Sequence, residues 1–377
     1  SVTGYIVAGL VLSPSLLNVI SPASIERLEF INSLALSLIA ITVGGKLDLA
    51  DLKGHFRAIL TVSLMQTLLV GLGTFAALIL LDVGPAVALI LAATALATAP
   101  AAVMAVVEET RARGPFTNLL LAVVAISNVL AVMVFGFTLA AVPLMEGSTG
   151  LSLALTRAPL ASLGGSLLLG GVIGLILSRV APRARNRQEL LIIILGTAFL
   201  TSELARVGLR FSPLLINITI GFALVNLCPV KDRLFEAIEG VELPLYITFF
   251  TLQGAHLDVG ALGEVGLVGI AYILARGASK IAGAWAGALT GRASDKARRY
   301  LGPALLPQAG IAIGMCVAVQ QEPSCSFFSS LVTTVVLASV LVNELVGPVA
   351  VKVCLVRAGE ARGRGSRSSK AKGGAEG

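Results

Sequence analysis

Charge is what this chain has least of. Asp, Glu, Lys and Arg supply 13% of its 377 residues while 56% are hydrophobic, and the mean hydropathy is +0.92. A soluble domain carries about a quarter charged residues, so a water-soluble globular protein is excluded. Histidine occurs twice and cysteine four times, at Cys228, Cys316, Cys325 and Cys354. These are far apart and lack metal-ligand spacing, which excludes a zinc centre and a disulfide scaffold. No nucleophile with a matched base stands out, so an enzyme is not expected and neither is a cofactor. Strict apolar/polar alternation is absent, which excludes an outer-membrane barrel.

What is present is a succession of apolar runs, mostly about 18–25 residues long, the length a helix needs to cross the hydrocarbon core. About twelve spans are predicted, centred near residues 12, 38, 68, 96, 128, 168, 197, 218, 248, 274, 310 and 340. Forty glycines, often paired or four apart as in GGSLLLGG (164–171), let such helices approach closely in lipid. The fold class is an all-α polytopic membrane protein. With twelve spans, alternate loops gather Lys46, Lys53, Arg57, Arg111, Arg113, Arg179 to Arg187, Lys231, Arg233 and Arg292 to Arg299 on one side. Only Arg27, Arg157, Arg206 and Arg210 lie on the other. The positive-inside rule makes the first side, and both chain ends, cytoplasmic, as in a prokaryotic inner membrane.

The net charge of +7 is thus mainly topology, supplemented by a Gly-, Ser- and Arg-rich stretch over 357–377. That stretch has too little apolar surface to fold and reads as a solvated tail against anionic lipid, or else a docking site. Nucleic acid is not an expected partner. The chain opens SVTGYIVAGL, without Met and already inside an apolar span, so an upstream helix is expected.

Two spans carry helix breakers at matching places. The fourth has Thr98, Ala99 and Pro100 at its middle, and the eleventh has Pro307, Gln308, Ala309 and Gly310. Each Pro alone would read as a kink in a packed helix. The pair, running in opposite directions in two halves, points to an inverted-repeat transporter with a site at mid-membrane, spans one to five repeating as spans eight to twelve. The tenth span places Arg276 and Lys280 four residues apart on one face. Cations at that depth face the bundle interior, pair, or snorkel, and Lys280 is too deep to snorkel easily. Arg276 suits a fixed structural pair, and Glu344, beside Asn343, is its expected structural partner. Glu203, Glu242, His256 and Asp258 read as interfacial, Glu203 alternatively as buried.

Read in order, GYIVAGLVLSPSLL, LATAPAAVMAVVEETRARGP, LLAVVAISNVLAVMVFG, NITIGFALVN, ITFFTLQGAHLD, ARGASKIAGAWAG, LLPQAGIAIG and VNELVGPVAVK resemble the monovalent cation/proton antiporter family of the sodium/hydrogen exchanger and Kef type. The resemblance covers almost the whole chain. It implies thirteen helices in the full pattern, two broken helices crossing beside an ion site, and a homodimer. It also implies a transmembrane domain over 1–356, with scaffold helices at roughly 4–50 and 188–257 and mobile core helices at roughly 56–143 and 262–356.

In that family the fifth helix usually carries two acids, or Asn then Asp, where this chain has Ser127 and Asn128. An amide neither titrates nor carries charge, and the acid that would pair with Lys280 is missing as well. Lys46 in GGKLDL likewise replaces a frequent acid.

Two functions follow. One is exchange of Na⁺ or K⁺ for protons at a modified site lined by Thr98, Ser127, Asn128 and carbonyls near Ala99 and Gln308, with Lys280 as the titrating group. The other is an antiporter fold without exchange, serving as a regulator or carrying an anionic or neutral solute toward Lys280.

Overall fold

A computed structural model describes residues 2–14, 16–45, 47–52, 56–145, 153–204, 211–256 and 266–361. They form helices throughout, with no strand among the described residues. In chain order these are α1 (Val2–Leu12), α2 (Pro22–Gly45), the single turn α3 (Leu49–Leu52), α4 (Phe56–Ile79), α5 (Pro85–Ala95), α6 (Pro100–Thr110) and α7 (Pro115–Met145). Then come α8 (Leu153–Val180), α9 (Arg187–Leu204), α10 (Pro213–Leu227), α11 (Lys231–His256), α12 (Gly266–Thr290), α13 (Asp295–Ala304), α14 (Gly310–Gln321) and α15 (Ser329–Arg357). Among the described residues, six stretches are long and apolar enough to cross a membrane: Phe56–Ile79, Pro85–Thr110, Pro115–Leu139, Ala161–Arg183, Gly266–Thr290 and Ser329–Arg357.

Local sequence sets the boundaries. α1 stops at Leu12, the residue expected to be the centre of a first span, because the Ser13-Pro14 pair that follows disfavours helix. Proline opens α5, α6, α7 and α10, where its missing N–H would have no helical partner anyway. Ser212 and Ser294 cap α10 and α13, their hydroxyls accepting from Leu215 N–H and Ala297 N–H.

Glycines then bring specific helices together. At the α1/α11 contact a Cβ on Gly9 would overlap the Thr251 carbonyl and one on Gly254 the Ile6 carbonyl. At α2/α10, Gly44 and Gly221 stand in the same relation to Ile218 and Ile41. α4 and α12 run antiparallel, with Gly283 against Gln66, Gly287 against Val62 and Gly291 against Ala58. The pattern obeys one internal symmetry. If α1 is equivalent to α10 and α2 to α11, the α1/α11 contact becomes the α10/α2 contact, and α4/α12 maps onto itself.

Two apolar clusters result. One joins α2 with α8 to α11 through Leu38, Ile41, Leu177, Ile194, Ile220 and Ile238. The other centres on α5, α6, α7 and α15 and also takes in α4, α12, α13 and α14.

Packed structure continues past the point where the sequence suggests a solvated tail. Ala358 is fully buried, and the Glu360 carboxylate closes the start of α7. Its Oε1 accepts from Phe116 N–H at 2.9 Å, and Oε2 accepts from Thr117 N–H and Thr117 Oγ1, both at 2.8 Å. Lys296 Nζ donates to Ala358 O at 2.6 Å. Residues up to 361 therefore belong to the bundle, held by an anion at a helix N-terminus. Glu360→Ala is expected to lower stability by about 1–2 kcal/mol, read in thermal unfolding of the purified protein.

Candidate functional site

The two interrupted spans meet at their breaks. α5 ends at Ala95 and α6 starts at Pro100; α13 ends at Ala304 and α14 starts at Gly310. Ala99 N–H donates to Pro307 O at 2.9 Å, tying one break to the other. A helix end leaves its last carbonyls without partners, and in a buried setting each needs a donor. Here every carbonyl from 94 to 98 has one, each from a side chain far away in sequence.

α12 supplies most of them. Arg276, fully buried, donates from Nε to Ala95 O (3.1 Å) and from Nη2 to Ala97 O (2.9 Å). Its Nη1 donates across to Leu306 O (2.9 Å), at the end of α13, and to Asn343 Oδ1 on α15 (3.1 Å). One planar guanidinium thus closes both half-helix ends and reaches a third helix. Lys280, one turn further and equally buried, donates from Nζ to Leu96 O (3.1 Å) and Thr98 Oγ1 (2.7 Å). Both cations lie at the negative ends of helix dipoles. Among the described residues neither forms an ion pair with a carboxylate.

Asn128 on α7 takes the remaining group. Its Oδ1 accepts from Thr98 N–H at 3.0 Å and its Nδ2 donates to Thr98 O at 2.8 Å, so both ends of the amide hold the break. A carboxylate of the same shape accepts but does not donate. Asn128→Asp is therefore expected to lower stability by about 1–3 kcal/mol, by stranding Thr98 O beside a second acceptor, as thermal unfolding would show. Ser127, the adjacent buried residue, has no hydrogen-bond partner for its Oγ.

The second break is held in a related way. Gln308 Oε1 accepts from Ser339 Oγ on α15 (2.7 Å), and Nε2 donates to Thr94 O and Tyr272 Oη, both at 3.3 Å. Thr98 and Gln308, like Asn128 and Ser339, lie about 210 positions apart, so the α7-to-break clamp has an α15-to-break counterpart under the same internal symmetry. Asn343 Nδ2 donates to Ser339 O and Oγ, which links the Gln308 contacts back to Arg276.

Thr98, Ala99, Pro100, Asn128, Arg276, Lys280 and Gln308 are thus brought together at the crossing, with Ser127 next to Asn128 on α7. Glu344 is not the partner of Arg276. Both of its carboxylate oxygens are buried without a hydrogen bond, while Asn343 one position earlier takes the guanidinium, because that residue shares the face of Ser339 and Gly347 toward the breaks. The carbonyls expected to be open for a cation are occupied by donors: Pro307 O by Ala99 N–H, Leu306 O by Arg276, and the run 94–98 as above. Lys46 and Asp258 lie outside the described residues, as do the side chains of Glu203, Glu242 and His256. Sequence reasoning missed Tyr272, Thr94, Ser339 and Asn343. A helical spacing carries part of that signal: Tyr272 precedes Arg276 by four residues, and Ser339 precedes Asn343 by four.

A profile described as sodium/hydrogen exchanger, transmembrane, matches residues 1–352. The chain belongs to the sodium/hydrogen exchanger family. Its members are transporters, so the polar crossing is a transporter's interior and the helices form a multi-pass membrane protein. The fold is that of two solved structures of the sodium proton antiporter MjNhaP1 from Methanocaldococcus jannaschii. The one described as at pH 8 has a TM-score of 0.64 at 17% identity, covering 94% of this chain and 92% of that one. The one described as an electron-microscopy map has a TM-score of 0.69, also at 17% identity, covering 96% and 92%. No protein of curated function is similar in sequence.

Proposed function

We propose that this exchanger-family protein trades one monovalent cation, Na⁺ or K⁺, for one proton by alternating access, with Lys280 in the part an acid plays elsewhere. The observation that carries the reading is where the Lys280 ammonium sits: on Leu96 O and Thr98 Oγ1, two neutral oxygens at the negative end of α5. These are the donor types an alkali ion takes. An ammonium and an alkali ion compete for them.

When the cation arrives, the Nζ–H bond facing those oxygens breaks, the proton leaves to water and the amine remains neutral. On the return the amine takes a proton and the cation departs. One positive charge enters as one leaves, so the cycle is electroneutral. Arg276 stays charged throughout and anchors both half-helix ends. Like charges four residues apart on a helix repel, and a neutral Lys280 relieves that repulsion while the guanidinium of Arg276 keeps its charge. Asn128 and Gln308 hold the two breaks in register, and Ser127 lies beside the exchange point as a further oxygen.

Helices within 56–143 and 262–356 would move as a core against scaffold helices within 4–50 and 188–257. The protein would work as a homodimer in a prokaryotic inner membrane, with both ends of this sequence cytoplasmic by the positive-inside rule. The test is a pulse of Na⁺, K⁺ or Li⁺ on proteoliposomes holding a pH dye. A dye response to at least one cation, unchanged when the membrane voltage is clamped, is expected. Silence with every cation, together with stabilisation of the protein by an anion, would favour the carrier or regulator reading instead.

A further inference from the structure

The buried face of α4 carries polar side chains that the crossing does not use. Ser63, Gln66 and Thr74 are each fully buried, and Ser63 Oγ, both amide atoms of Gln66, and Thr74 Oγ1 have no hydrogen-bond partner. On a helix, positions 63, 66 and 74 fall within a single narrow arc. α4 is packed against α5, α7 and α12, and on α7 the Ser127 hydroxyl is partnerless too. A buried polar group without a partner costs about 1–3 kcal/mol, and an apolar side chain of similar shape avoids that cost. Three on one face, in a chain otherwise rich in Leu and Val, call for a ligand.

Their height in the bundle says which. The α4 backbone meets Gly283 at Gln66, and the Ser279 side chain lies over Gly73, so Lys280 sits between the levels of Gln66 and Thr74. Gly283 is three residues from Lys280, roughly 4.5 Å along the axis. From Gln66 the row continues through Ser63 toward the end of the α4/α12 pair where Arg57 donates to Thr290 O. The groups are neutral donors and acceptors, with two cations beyond Gln66 and no carboxylate on α4. That composition suits hydrogen-bonded water carrying a proton better than a travelling alkali ion, which would need several oxygens at once and would approach Lys280 and Arg276 head on.

We propose that Ser63 and Gln66 line a hydrated proton track inside the core, reaching Lys280 from the Arg57/Arg292 end and separate from the cation's own route. It rests on the reading of Lys280 as the proton-exchanging group. Gln66 acts through the water it orders and is a positioning residue.

The test compares Gln66→Leu, Gln66→Asn and Lys280→Gln with the unmodified protein in liposomes, by pH dye in H₂O and D₂O, with thermal unfolding alongside. Gln66→Leu is expected to slow cation-driven proton flux at least about tenfold. It should also enlarge the solvent isotope effect, leave the cation concentration for half-maximal rate unchanged, and unfold no lower than the unmodified protein. Gln66→Asn, keeping the amide, should retain most of the flux. If Gln66→Leu transports normally while Lys280→Gln is silent, the track is wrong and exchange at Lys280 stands; if Lys280→Gln transports normally, the underlying reading falls. Should Gln66→Leu fail to fold, Ser63→Ala takes its place, with a slowing of about threefold expected and normal flux counting against the track.

Discussion

Lys280→Gln is expected to reduce cation-driven proton movement to the leak of protein-free vesicles while leaving the protein folded. Glutamine keeps a donor that can reach Leu96 O or Thr98 Oγ1, but it neither gains nor loses a proton. Two consequences for stability oppose each other. A hydrogen bond to a charged group contributes about 1.5–3 kcal/mol, and removing a cation from a buried site relieves a desolvation penalty of similar size. The net change in unfolding should therefore stay within about 1 kcal/mol. Loss of flux with an intact unfolding transition assigns Lys280 to exchange. Loss of both would mean that the ammonium is needed to hold the break, and flux unaffected would remove Lys280 from the chemistry.

Arg276→Met is expected to be the most damaging single change in the crossing for stability, about 3–5 kcal/mol in thermal or denaturant unfolding. The guanidinium serves Ala95 O, Ala97 O, Leu306 O and Asn343 at once. Methionine fills much of the volume but leaves three main-chain carbonyls without donors, those of Ala95 and Ala97 buried. Arg276→Lys should recover only part of the loss, because one ammonium cannot span two half-helix ends and α15 as a planar fork does. If Arg276→Met unfolded like the unmodified protein, the carbonyl accounting that underlies this picture of the crossing would be wrong.

The sequence exposed those parts of the architecture that are local. Apolar runs marked the spans, Pro100 and the Pro307 to Gly310 stretch marked the breaks, and the four-residue step from Arg276 to Lys280 placed both cations on one face. What it did not expose depends on which distant groups meet. An open carbonyl at a helix break invites the thought of a cation from solution, yet Arg276, Lys280, Asn128 and Gln308 supply the donors for residues 94–98. No spacing rule connects residue 276 to residue 95.

Glu344 shows the same limit in reverse. An acid in an apolar helix next to a buried Arg suggests a pair, but a 100° step around α15 separates Glu344 from Asn343, and the amide faces the guanidinium. The orphaned hydroxyls and amide on α4 were illegible for a further reason. Ser, Thr and Gln are common enough in membrane helices that only the absence of a partner makes them informative.

On this mechanism the Lys280 ammonium and the transported cation occupy the same oxygens by turns. Titrating the purified protein with Na⁺ or K⁺ in two buffers of different ionisation enthalpy counts the protons released per cation bound. Close to one proton released per cation is expected in the unmodified protein and none in Lys280→Gln. Cation binding without proton release in the unmodified protein would contradict it.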